Sequence, residues 1–322
     1  MNQILLEKLF YIFYCFILSY IFIPLSVTDD QNLYISFYYS VEGKNLSEII
    51  SIANQTLGSF EPGYPFFVWI SIKFLSKNTF VLIINVTLSY LLITILLREK
   101  VDKLNVFLII TGFYYFVLMF SLERLKLSFF FLLLAYFINK KYLLKIVFNT
   151  FAMLTHFQVF PLAILGILNS LKKLNIIILL LYFFLLQIFF YSNYSHYFFS
   201  YVFEIYDYIL AKLSIYKTNN ILNDLIQYLK FFILFFIGYL NIKKNKLNFN
   251  ISFLILFILI NLTNAGRLMI LVYTALTFFL VIENRTHSKL FTLMNIYFFI
   301  KGVIFLTNIY LYGNGFANTA PS

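Results

Sequence analysis

The chain runs to 322 residues, 62% of them hydrophobic and 22% aromatic, with only 11% charged and a formal net charge of +11. That much apolar surface excludes a water-soluble domain, and a lone cysteine, Cys15, excludes an intrachain disulfide. The positive balance would point to nucleic acid in a soluble protein. Here the lysines fall in short loops between apolar runs, so no nucleic-acid partner is expected.

Repeated apolar runs of about 17–25 residues mark helices that cross a bilayer. Their continuity argues against the alternating strands of a barrel. The expected fold is an all-α polytopic membrane protein, one integral domain over residues 1–322 embedded in the lipid bilayer. It should have about 10–12 transmembrane helices, some short or re-entrant, and two extracytoplasmic loops.

The first apolar run, 9–25, has Lys8 before it and no small-residue cleavage site after it, and reads as a retained signal anchor. Residues 26–62 form the first extracytoplasmic loop, with Asp29, Asp30, Glu42, Glu48 and Glu61. In it, TDDQNLYISFYY spaces Asp30, Tyr34 and Tyr38 by one helical turn. A helix there would set a carboxylate and two phenols on one face, suited to orienting sugar hydroxyls and stacking sugar rings. The plain alternative is a solvated acidic loop with interfacial tyrosines. LSEIISIANQTL follows as a surface helix with Ser47 as its expected N-cap.

FEPGYPFFVW sets Glu61 before an apolar helix, either as a cap favoured by the helix dipole or as a catalytic or substrate-orienting acid. Residues 63–75 are too short to cross and read as a half-membrane or re-entrant helix. Spans are expected at 79–97 and 104–120. Then SLERLKLSFFFLLLAYF places Arg124 where the hydrocarbon begins, with Glu123 as its expected partner, and opens the span 125–138. Two shorter helices, 143–155 and 157–168, should meet at His156 and Pro161. His156 is either a satisfied structural residue or a base able to take a proton from a hydroxyl.

A span at 174–190 leads to the second extracytoplasmic loop, 191–227, rich in tyrosine and carrying His196, Glu204 and Asp207. Spans follow at 228–242, 249–264, 267–282 and 290–311. Arg267 opens the third of these in TNAGRLMILVYTALTFFLV, and Lys301 interrupts the last, where it should snorkel or meet an acid. Loops carrying Arg98, Lys100 and Lys103, Lys140, Lys141 and Lys145, Lys172 and Lys173, Lys243, Lys244 and Lys246, and Arg285 and Lys289 are assigned to the cytoplasm. Alternation from those loops sets Arg124, His156 and Arg267 on the opposite face.

The chain has 20 lysines but only four arginines, two of them at hydrocarbon boundaries. A guanidinium grips phosphate through two parallel hydrogen bonds, which points to a lipid-phosphate substrate. Three scattered histidines make no metal site. Walker A, dinucleotide-glycine, HExxH, G-x-S-x-G and Asp-x-Asp signatures are absent. No metal and no cofactor is therefore expected, and the energy for any chemistry must come with the substrate.

The order of these motifs resembles the EpsG-like branch of the Wzy-type bacterial polysaccharide polymerases. The matching elements are Asp30 with Tyr34 and Tyr38 after the first helix, Glu61-Pro62-Gly63-Tyr64, and Arg124 opening a helix that carries Ala135. His156 after the next helix and Arg267 opening a late one complete the order, over roughly residues 20–285. Leu125 stands where many relatives carry Gln, so that neighbour's role does not transfer.

The resemblance implies a GT-C-like, metal-independent glycosyltransferase, multi-pass in the bacterial cytoplasmic (inner) membrane, with its site facing the periplasm or exterior. It would polymerise undecaprenyl-diphosphate-linked oligosaccharide repeats into O-antigen for lipopolysaccharide, capsule or exopolysaccharide, with a chain-length regulator and a flippase as partners. The residues this implies are Arg124 and Arg267 on the diphosphate and Asp29, Tyr34 and Tyr38 on substrate. His156 would be the base, Glu61 its rival, and Asp30 a sugar-orienting acid. The alternatives are a flippase for the same lipid-linked oligosaccharide, an O-antigen ligase-like enzyme, and an acyltransferase.

Overall fold

The computed structural model describes residues 3–28, 30–59, 61–138, 141–160, 162–163, 166–167, 221–263 and 268–316. Among the described residues every regular element is helical and no strand forms. In chain order the helices are α1 Gln3–Phe22, α2 Asp30–Ser40, α3 Leu46–Leu57, α4 Gly63–Ser71, α5 Lys77–Arg98, α6 Lys103–Ile110 and α7 Phe113–Phe120. They continue with α8 Glu123–Phe137, α9 Tyr142–Thr155, α10 Ile221–Asn241, α11 Lys246–Thr263, α12 Leu268–Ile282 and α13 Lys289–Tyr312.

Within α1, α5 and α13 lie stretches long and apolar enough to cross a membrane, and α6 with α7 makes a fourth if the bent pair is one span. The chain is thus a helical membrane protein by the length and composition of its helices. The 174–190 span, most of the 191–227 loop, Asp29 and Arg267 lie outside the described residues. Residues 221–227 of that loop belong instead to α10, which starts earlier than the span expected at 228–242.

Two local expectations are corrected. The run 104–120 is not one helix: α6 stops at Thr111, Gly112 caps α7, and the pair bends by 42°. Gly302 of α13 packs on the break, where an added Cβ would sit 2.5 Å from the Thr111 carbonyl oxygen. The N-cap of α3 is Asn45, not Ser47. The Asn45 side chain accepts from Glu48 N at 3.0 Å while Glu48 accepts from Asn45 N at 2.9 Å, a reciprocal capping box that Ser47 joins through a 2.7 Å bond to Asn45 Oδ1. Helix α4 has 9 residues. At the α-helical rise it is about 14 Å long, about half of the hydrocarbon thickness.

The bundle has two chemically distinct ends. At one, Lys103 pairs with Glu7, Arg98 reaches the Phe137 carbonyl at 3.4 Å, and Asn105 donates to the Thr286 carbonyl at 3.0 Å. Glu283 there accepts the Lys243 and Asn245 amides, closing the α10–α11 turn. This end gathers the α5–α6, α10–α11 and α12–α13 connections. The opposite end joins the C-termini of α1 and α13 through Thr28 Oγ1 to the Gly313 carbonyl at 2.9 Å, and α1 to α7 through Ser26 Oγ to Phe120 O at 3.0 Å. Helix α8 packs against α5 and α9. It starts at this second end, and α9 finishes there.

Candidate functional site

The centre of the second end is Glu61, 7% exposed, in the turn between α3 and α4. Its Oε2 accepts from Arg124 Nη1 and from Ser59 Oγ, each at 2.8 Å. Its Oε1 lies 2.7 Å from His156 Nδ1 and accepts the Phe157 amide at 3.0 Å. Burial alone would raise this carboxyl. The facing His156 and Arg124, with the Phe157 amide, outweigh burial and hold it well below its ordinary 4.5. A buried carboxylate with this many donors is an anionic hub, and it fixes a guanidinium and an imidazole to opposite oxygens.

The sequence sets up this meeting through backbone packing. Gly63, at the start of α4, lies so close to the end of α9 that a Cβ would fall 2.8 Å from the Leu154 carbonyl carbon and oxygen. No side chain fits between the two backbones, so Glu61 is delivered against His156. Helices α8 and α9 are tied one turn away by Ser128 Oγ and Thr155 Oγ1, 2.7 Å apart and both fully buried. Ser128 also donates to the Arg124 carbonyl at 3.3 Å. Arg124 Nε reaches Tyr34 Oη at 3.4 Å. Burial pushes the Tyr34 phenol up, with Arg124 partly offsetting it, so it stays a neutral acceptor. On the far side of the imidazole, Nε2 lies 3.2 Å from the Gln158 amide. A primary amide can donate to a neutral Nε2 or accept from a protonated one by turning.

A second acid cluster adjoins the first. Glu123, 3% exposed, accepts from Tyr64 Oη at 2.7 Å and pairs with Lys77 at 3.2 Å, and Lys77 also donates to Gln31 at 2.9 Å. The Tyr64 ring stands edge-on to Tyr34 at 5.6 Å, which connects the two clusters. Lys126, 1% exposed, turns back to donate to the Met119 carbonyl at 2.6 Å. That carbonyl lies in the last turn of α7, where a cation complements the helix dipole. Glu123, Arg124 and Lys126 stand within four residues yet serve three different partners, because each step around a helix turns about 100°.

Of the residues singled out in the sequence, Glu61, Arg124, His156 and Tyr34 come together here. Asp30 is half-buried in the first turn of α2, and Tyr34 and Tyr38 follow on its inner face. Both phenols are 5% exposed, with rings packed on Tyr64 and Phe80, so neither presents a face for stacking a sugar. Asp29 and Arg267 fall outside the described residues. Glu123 is not the partner of Arg124, and Glu61 does not cap α4, whose N-cap is Pro62 without a side-chain bond. Lys301 lies over the Phe113 and Tyr297 rings, 5.4 Å from each. Ser59, Lys77, Lys126 and Gln158 were missed. The only sequence signals were a lysine inside an apolar stretch and a polar residue two positions after a histidine. Among the described residues no three His, Cys, Asp or Glu side chains gather in a metal-holding group.

Comparison with known protein families, curated proteins and solved structures finds no match to this chain.

Proposed function

We propose that the chain is a membrane glycosyltransferase that polymerises lipid-diphosphate-linked oligosaccharide repeats at the outer face of a bacterial cytoplasmic membrane. The observation that carries the reading is Glu61 holding Arg124 and His156 together in a buried, polar corner of an apolar bundle. In the reaction, a sugar hydroxyl of the acceptor attacks the anomeric carbon of the donor. Its proton passes to His156 Nε2, and the bond to the diphosphate breaks with its electron pair on the leaving oxygen.

Glu61 supports this role by fixing Nδ1 as the donor, so that Nε2 takes the proton as the Gln158 amide turns away. Arg124 receives the charge that grows on the diphosphate. Its side chain is 13% exposed, so the interaction acts in a site of low dielectric where a preorganised cation counts most. The diphosphate competes with Glu61 for the guanidinium, and its arrival strengthens the carboxylate's hold on the imidazole. Arg267 is assigned to the same diphosphate on sequence grounds.

The test is glycan gel analysis of a deletion strain complemented with variants. Arg124→Ala should lower polymer formation by about 10²–10³, the scale for removing one charge-aimed donor, and His156→Ala should leave single exported repeats. Repeats trapped inside the cell would favour a flippase instead. An unchanged ladder in the deletion strain would overturn the reading.

A further inference from the structure

We propose that a cavity of about 400 Å³, between the α1–α2 connection, α2 and the α4–α5 junction, binds a neutral saccharide. The volume is in the range of small-molecule pockets. Its wall combines the apolar side chains of Ile23 and Leu75 with Tyr39, Glu42, Lys77 and Asn78. A sugar ring presents an apolar C–H face and a belt of hydroxyls that both donate and accept. An aromatic ring beside a carboxylate and an amide answers both features. Tyr39 is 79% exposed, so unlike Tyr34 and Tyr38 it keeps a ring face for a ligand.

Charge decides against an anionic occupant. Lys77 is already balanced by Glu123 at 3.2 Å, and Glu42 adds a negative group to the wall. A phosphate would gain no surplus cation here. The cavity is also wired to the Glu61 cluster: Lys77 meets Glu123, Glu123 holds Tyr64, Tyr64 packs on Tyr34, and Tyr34 accepts from Arg124. On the glycosyltransferase reading, on which this assignment rests, the cavity seats the sugar of the incoming acceptor while Arg124 faces the donor's diphosphate.

Binding can be read without turnover. With the protein in lipid nanodiscs, saturation-transfer NMR is recorded against glucose, galactose, mannose, rhamnose and N-acetylglucosamine in turn. At least one should receive saturation, with binding about tenfold weaker in Glu42→Gln, Asn78→Ala or Tyr39→Ala, as for loss of one charged hydrogen bond or ring contact. Inorganic diphosphate should not displace it, and His156→Ala should retain it. No transfer to any sugar, transfer unchanged in all three variants, or displacement by diphosphate overturns the proposal. Sugar binding combined with an unchanged polymer ladder in the deletion strain would uphold the cavity and sink the polymerase.

Discussion

Glu61 decides how the site responds to charge. Its pKa in the folded chain lies below the ordinary 4.5, so its contribution to stability is fully present above that value and is lost as pH falls through the folded value. The melting-temperature advantage of the wild type over Glu61→Gln in nanodiscs should shrink as pH falls below 4.5 toward the folded value. Removing the carboxylate breaks the buried Glu61–Arg124 ion pair, a loss of about 3–5 kcal/mol for one half of such a pair. An advantage that does not shrink below pH 4.5 would mean that Glu61 is not held below its ordinary value. The sequence marked Glu61, Arg124 and His156 separately, because charged residues at hydrocarbon boundaries stand out. It did not pair them, since Glu61 lies 63 residues from Arg124 and 95 from His156. Adjacency in sequence points to Glu123 as the partner, but helical geometry turns neighbours away from each other.

At the level of helices, spacing and breaks matter more than length. The one-turn spacing of Asp30, Tyr34 and Tyr38 left a helix and a solvated loop both open; the segment is the helix α2, and periodicity names its face without naming what covers it. The α6–α7 break was hidden inside a continuous apolar run, where Gly112 was the only mark. Gly63→Ala should drive α4 away from α9 and cost about 1–3 kcal/mol by overpacking, with the His156 imidazole NMR signals shifting as its bond to Glu61 fails. Wild-type imidazole signals in that variant would show that the close approach does not set the site. Lys126 gives a paired test. Lys126→Arg should lower the melting temperature through overpacking, whereas Lys126→Met keeps the volume and removes a buried charge, so it should melt higher than the Arg variant. The reverse order would mean that the ammonium at the end of α7 contributes more than its desolvation costs.

Across the whole molecule, the described connections carrying Lys103 and Lys243 lie at one end of the bundle, and the positive-inside pattern assigns them to the cytoplasm from composition, not from packing. Cys15, 2% exposed, should stay silent toward membrane-impermeant maleimides. Against that background Glu42→Cys should label in intact cells and Lys244→Cys only after permeabilisation; the opposite result would invert the assigned orientation. The contact of Gly63 with Leu154 carries a further consequence for anyone recombining this protein with a relative. With no atoms to spare between the two main chains, the tract around residues 61–64 and the tract around 152–157 act as one lock and its key. Hybrids should tolerate crossovers almost anywhere in the lipid-facing helices, yet fail whenever those two tracts descend from different parents.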